Sequence, residues 1–231
     1  MHDPGSAGVE PALDAMPLLP LRWPRTFRIV PKYPPIEQLE SISPELQAAG
    51  IAELAELQPE LLGNPRFLRM GRLPNGPGAS RIITSFTFSC PGRFNDESFG
   101  TFYGADSLAT AIRETVHHVI VVLRDSNAPR QTLPPRLVLA VHVDAAKVVD
   151  ARTTAYRALY AEQYTESRRF GRMVRDRGYD GIRYRSVRRA EGECVAIYDP
   201  ATLSRCREER ELVYRYENGT VQVSEVHFSG P

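Results

Sequence analysis

The sequence predicts an α+β fold, and three features carry that prediction. Several short segments alternate apolar and polar residues, as half-buried strands do. One central segment, residues 108–119, instead repeats apolar residues at helical spacing: Leu108, Ala111, Ile112, Thr115 and Val119. Near the end, Asn218-Gly219 sits between two alternating runs, 211–217 and 221–228, a pairing that marks a two-residue hairpin turn.

Taken in order, residues 1–20 are rich in Pro, Gly, Ala and acidic residues, a composition expected to be poorly ordered. Residues 21–30 form a strand candidate, ended by Pro31, Pro34 and Pro35. Residues 36–50 and 51–62 read as two helices inside an inserted stretch, 34–81, and residues 73–79 as a loop. From 81 to 88, Ile82, Thr84, Phe86 and Phe88 alternate with Ile83, Ser85 and Thr87, which reads as a strand. Phe99, Thr101 and Tyr103 are expected on one face of an extended segment, with Gly104 turning the chain. Asp106 or Ser107 can cap the helix that follows. Residues 137–143 make another strand, with His142 expected as a packed core residue. Residues 156–177 read as one helix, stopped by Gly178, with Arg168, Arg169, Arg172, Arg175 and Arg177 as a solvated basic face or, less simply, a docking patch. Residues 179–184 and 194–198 supply two further strands.

The 231 residues suit a single domain, 21–231, with enough chain for a sizeable core. A net charge of +1 gives no reason to expect nucleic acid as a partner. Cys90, Cys194 and Cys206 lack metal-site spacing and fit reduced thiols in a cytoplasm. No apolar run approaches the ~20 residues of a membrane helix. No GxGxxG opens a helix, no HExxH is present, and no metal is implied.

Residues 92–118, GRFNDESFGTFYGADSLATAIRETVHH, hold the candidate chemistry. Arg93 follows a glycine, Tyr103 ends a strand, and Glu114 lies at the edge of the apolar stripe of the helix. A carboxylate at the rim of a buried face is costly unless a polar or charged group meets it. His118 shares its flank, while Arg113 and His117 are expected on the solvated side.

The GRFN and FYGADSLATAIRE segments resemble the RES family, toxins of bacterial type II toxin–antitoxin systems. Glu114 matches that family's glutamate, Ser186 in GYDGIRYRSVRR its serine, and Arg28 in Phe27-Arg28-Ile29 its early arginine. The resemblance covers about residues 22–205; the wide spacing from 34 to 81 departs from shorter members. It implies an ADP-ribosyltransferase-like core of two small facing sheets. It further implies NAD⁺ as substrate, transfer of ADP-ribose to a protein, water or phosphate, and a cognate Xre-type antitoxin that occludes the cleft. Under that resemblance Glu114 stabilises an electron-poor ribose, as in glycoside hydrolysis. Arg93 and Arg28 compete for the pyrophosphate, Tyr103 stacks on nicotinamide, and Ser186 orients Glu114 or binds the substrate. A non-catalytic binding module and a nuclease are the alternatives.

Overall fold

The computed structural model describes Leu13, residues 16–32, Pro74, and residues 76–87, 91–125, 130–152 and 154–226. Most of the N-terminal segment, the paired helices expected between 36 and 62, Phe88 and Cys90 lie outside the described residues.

The strands are β1 (Leu18–Pro31), β2 (Phe102–Ala105), β3 (Gln131–Thr132), β4 (Arg136–Asp150), β5 (Gly181–Arg185), β6 (Glu193–Ile197), β7 (Leu203–Glu217) and β8 (Thr220–Glu225). The α-helices are α1 (Ala79–Thr87), α2 (Leu108–Asp125) and α3 (Thr165–Asp176). Among the described residues the architecture is a mixed α+β one, built on a sheet-rich core with few helices.

One hydrogen-bonded sheet joins all eight strands, in place of the two separate sheets expected. Its path runs β1-β2-β6-β5-β4-β7-β3, with β8 on β7 and a further β1–β4 pairing that closes five strands into a ring. Closure follows from strand length. β1 pairs antiparallel with β4 from Leu18↔Val149 to Pro31↔Arg136, and with β2 at Phe27↔Ala105. Register shifts between Leu19 and Leu21 and between Trp23 and Thr26 bend the strand, as irregularities of this kind do. β4 is likewise shared: Arg136–Val143 meets β7, and Val148–Asp150 meets β5 in parallel.

Two cores lie on the two faces of these strands, because neighbouring side chains alternate. Val195 and Ile197 belong to one core with Leu21, Phe102, Val141, Val143 and Leu203. Cys194, Ala196 and Tyr198 belong to the other with Ala111, Val119, Phe170 and Val174 of α2 and α3.

Residues 79–87 form a helix, not the strand their alternation suggested. Ile82, Ile83 and Phe86 satisfy helical spacing as well as Ile82 and Phe86 satisfy period two, so the run is ambiguous. Packing decides: all three are buried in the first core, each worth roughly 1.5–3 kcal/mol of burial. Residues 156–177 are likewise not one helix. A 3-10 turn, Thr154–Tyr160, precedes α3, and the break between them carries Glu162. Gly178 ends α3 with φ +84° as expected. The hairpin also forms as expected, with Asn218 at φ 51° and Gly219 at φ 76° between β7 and β8. Among the described residues no helix is long and apolar enough to cross a membrane.

Candidate functional site

The site is built around a bent loop, residues 91–101, held from three directions. The first is internal. Gly92 N–H donates to the Asn95 carbonyl at 3.1 Å, and Asn95 Nδ2 donates to the Phe99 carbonyl at 3.2 Å. The second is β2. The Tyr103 hydroxyl donates to Asn95 Oδ1 and accepts from Phe94 N–H, both at 2.8 Å. A Cβ on Gly92 would come within 2.7 Å of that hydroxyl, so a larger residue there would push Tyr103 or Asn95 aside.

The third is α3: Arg169, Arg172 and Arg177 are exposed as expected of a solvated face, but Arg168, Arg172 and Arg175 also reach the loop. Arg168 Nε donates to the Gly92 carbonyl at 3.0 Å. Arg172 pairs with Asp96, and Arg175 stacks over Phe99 at 4.8 Å from the ring centre. Gly171 allows this approach: a Cβ there would sit 2.0 Å from the Phe94 carbonyl oxygen.

Arg93, 7% exposed, is anchored within this loop. Its Nη1 donates to the Leu159 and Ala161 carbonyls at 3.0 and 2.9 Å, and its guanidinium stacks over Tyr164 at 4.6 Å. The Tyr103 hydroxyl is committed to the loop, and Tyr103 also lines the cleft. Burial pushes its phenol well above the ordinary range, so it stays a neutral donor. Two details of this stretch depart from the sequence expectation. Phe99 and Thr101 precede the strand, and Gly104 lies within β2 rather than turning it. A Cβ on Gly104 would meet Thr26 Cγ2 at 2.3 Å.

α2 begins where the sequence put it. Ser107 Oγ accepts from Thr110 N–H at 3.2 Å, and Asp106 accepts from the Thr110 hydroxyl at 2.6 Å. Two turns on, Glu114 meets Ser186 from the loop between β5 and β6. The Ser186 hydroxyl donates to Glu114 Oε1 at 2.5 Å and accepts from the amides of Arg188 and Arg189 at 3.1 and 3.0 Å. Both lone pairs are filled, so its proton is directed at the carboxylate.

These groups surround a cleft of about 220 Å³ lined by Arg28, Arg93, Tyr103 and Glu114. The structure therefore brings together all five residues singled out in the sequence: four line the cleft, and Ser186 holds one of them, Glu114, through its hydroxyl. Arg28 Nη1 also donates to the Tyr103 carbonyl at 3.0 Å. The volume is below the ~300–1,000 Å³ of a pocket for a drug-sized ligand, so a larger molecule would seat one end only. A second, more open hollow of about 400 Å³ lies by Trp23, Phe27, Asp106 and Glu193. Its Glu193 is already paired with Arg152 and Arg183 at 2.5 Å each, which leaves little chemistry there.

Sequence reasoning missed four contributors. Arg188 lines the cleft, and the run of arginines just after Ser186 was the available signal. Tyr184 and Cys194 come from adjacent strands with no motif. Burial, then the Glu114 charge, pushes the Cys194 thiol well up, which keeps it neutral beside that carboxylate. His117, expected in solvent, lines the cleft together with His118. His142 stands in β4 with its Nδ1 3.3 Å from Ser204 Oγ, away from the site. Among the described residues, no three His, Cys, Asp or Glu side chains cluster to hold a metal.

The sequence profile of the RES domain matches residues 71–217, well over half of the chain. The chain belongs to the RES family. A search of curated proteins finds no match. Among solved structures, the RES chain is similar to the crystal structure of the M. tuberculosis MbcT–MbcA toxin–antitoxin complex. That similarity has a TM-score of 0.45 and 14% identity, over 89% of this chain and 90% of that one.

Proposed function

We propose that this RES protein is a toxin that splits the nicotinamide–ribose bond of NAD⁺ and transfers the ADP-ribose, a protein side chain being the favoured acceptor. The observation that carries this reading is the Ser186–Glu114 pair, set in a cleft whose other walls present Arg28, Arg93 and Arg188. Cations suit an anionic pyrophosphate, and a fixed carboxylate suits a ribose carbon that becomes electron-poor.

In the reaction, the bond from the anomeric carbon to the nicotinamide nitrogen breaks, and its electron pair leaves with neutral nicotinamide. Glu114 stabilises the oxocarbenium-like sugar, with Ser186 fixing which carboxylate oxygen faces it. The acceptor's nucleophilic atom then bonds to the anomeric carbon, and its proton passes to Glu114 or water. The Tyr103 ring offers the nicotinamide a flat apolar wall. No metal takes part. An ADP-ribosyltransferase-like fold and a cytoplasmic setting belong to the same proposal.

A cognate antitoxin of the Xre type completes it. Its C-terminal tail, carrying a carboxylate, would enter the cleft near Arg93 and compete with NAD⁺. The test is mass analysis of products from NAD⁺ with purified protein, with and without phosphate and cell lysate. Released nicotinamide with ADP-ribose on a lysate protein supports the reading. Free ADP-ribose alone would move it to a glycohydrolase, and intact NAD⁺ throughout would overturn it.

A further inference from the structure

Arg188 differs from the other cations of the cleft in what holds it. Nη1 of Arg93 is committed to two main-chain carbonyls, and Nη1 of Arg28 to a third. Turning those donors toward a ligand would strand carbonyl oxygens that the fold satisfies. Arg188 instead offers both terminal nitrogens to one side chain. Its Nη1 and Nη2 donate to Oε1 and Oε2 of Glu162, each at 2.9 Å. This is the two-pronged geometry in which a guanidinium binds two oxygens of a phosphate.

The two partners are unequally placed. The Arg188 side chain is 17% exposed and lines the cleft; that of Glu162 is 75% exposed. Glu162 sits in the break between the 3-10 turn and α3, so it can rotate into water without disturbing a helix. An exposed ion pair holds such a carboxylate only weakly. Arg188 is also wired to the carboxylate that faces the sugar, since its own amide donates to the Ser186 hydroxyl bonded to Glu114.

We infer that Arg188 is the residue that binds the pyrophosphate of the dinucleotide, and that Glu162 occupies its fork in the free protein and swings out when the substrate enters. This rests on the NAD⁺ reading above and assigns the pyrophosphate to neither Arg28 nor Arg93. The pair also acts as a filter. A ligand without phosphate gains nothing that displaces Glu162, whereas a dinucleotide replaces one bidentate anion with another.

Isothermal titration of the full chain tests it, with ADP-ribose, nicotinamide riboside and inorganic phosphate as probes. Glu162→Gln should tighten ADP-ribose by up to about fivefold, the range of an exposed pair, and leave nicotinamide riboside unchanged. Arg188→Ala should weaken ADP-ribose by tenfold or more, and Arg188→Lys, which keeps the charge but loses the fork, should fall between. The double variant should bind as Arg188→Ala does. Unchanged affinity in both Arg188 variants overturns the assignment, as does a Glu162→Gln effect that persists without Arg188. Inorganic phosphate that binds as tightly as ADP-ribose, with the same dependence on Arg188, would reassign the site to free phosphate. Wild-type protein that binds ADP-ribose through Arg188 yet splits no NAD⁺ overturns the functional reading and leaves the anion site standing. Wild-type protein that binds no ADP-ribose overturns both.

Discussion

The hydroxyl of Ser186 donates to Glu114 at 2.5 Å while two backbone amides donate to it, so the serine has a single orientation. Replacing Ser186 by Ala would leave those two amides without their acceptor and the carboxylate without its donor. The variant is expected to lose about 1–3 kcal/mol of stability and most of its NAD⁺ turnover. Ser186→Thr keeps the hydroxyl and should recover part of both. Thermal melts beside turnover assays separate the two losses; an Ala variant with wild-type turnover would remove Ser186 from the site.

Glu114→Gln keeps shape and can still accept from Ser186 through its amide oxygen, but it carries no charge. Turnover is expected to fall by roughly 100-fold or more, the scale of a lost electrostatic stabiliser, with the melting temperature nearly unchanged. A binding protein without catalysis would retain its cellular effect in this variant, so growth inhibition by Glu114→Gln protein would refute the catalytic reading.

Tyr103→Phe separates ring from hydroxyl. The ring stays on the cleft wall, whereas Phe94 N–H and Asn95 Oδ1 lose their partner. The expected result is a stability loss of about 1–3 kcal/mol with NAD⁺ affinity largely kept in the folded fraction. If affinity collapses while stability holds, the hydroxyl contacts substrate directly.

Gly171→Ala probes the clasp of α3 on the loop. The added methyl would lie 2.0 Å from the Phe94 carbonyl oxygen, and backbone cannot yield as a flexible side chain can. Overpacking of this kind costs about 1–3 kcal/mol or more. Denaturant melts that match wild type would show that α3 can shift outward freely.

Acidification should weaken the fold through the two histidines. Burial, then the charges of Arg188 and His118, holds His117 below the ordinary imidazole value. Desolvation lowers His118 in the same direction, against the pull of Glu114, but the residue is exposed, so His117 carries most of the effect. In the window between those lowered values and about 6.5 the unfolded chain binds more protons than the folded one. Their contribution is therefore complete above about pH 6.5 and is lost as pH falls through the lowered values. Melting temperatures at about pH 7.5 and 5.5 measure it; substituting both histidines by Asn should shrink the difference, and an equal difference would assign it to other groups.

Local signals carried much of this in the sequence. The α2 stripe, the Ser107 cap, Gly178 and the Asn218-Gly219 turn each depend on residues within a few positions of one another, and the structure places each as expected. Glu114 and Ser186 were legible as residue types in motifs, though their contact spans 72 positions and no periodicity reports it. What failed depended on tertiary packing. Residues 79–87 fit both periods, and the buried faces of Ile82, Ile83 and Phe86 decided for a helix. The solvated face of α3 is there in Arg169, Arg172 and Arg177, but the reach of Arg168, Arg172 and Arg175 to Gly92, Asp96 and Phe99 was hidden because those partners lie more than 70 positions away. Arg188 was overlooked because Glu162, 26 positions away, and the cleft reach it only through the fold.

The closing of β1 onto β4 has a consequence for synthesis. Leu18 waits for Val149, Phe27 for Ala140, and Glu114 for the loop that Gly192 completes through its bond to the Ser186 amide. Contacts this distant form late and slowly. While a ribosome is still translating the chain, the early strand lacks its partner and Glu114 lacks the serine that orients it. The Glu114–Ser186 contact is therefore assembled only after the chain has been made past Gly192, so the geometry on which the proposed chemistry rests arises late in elongation.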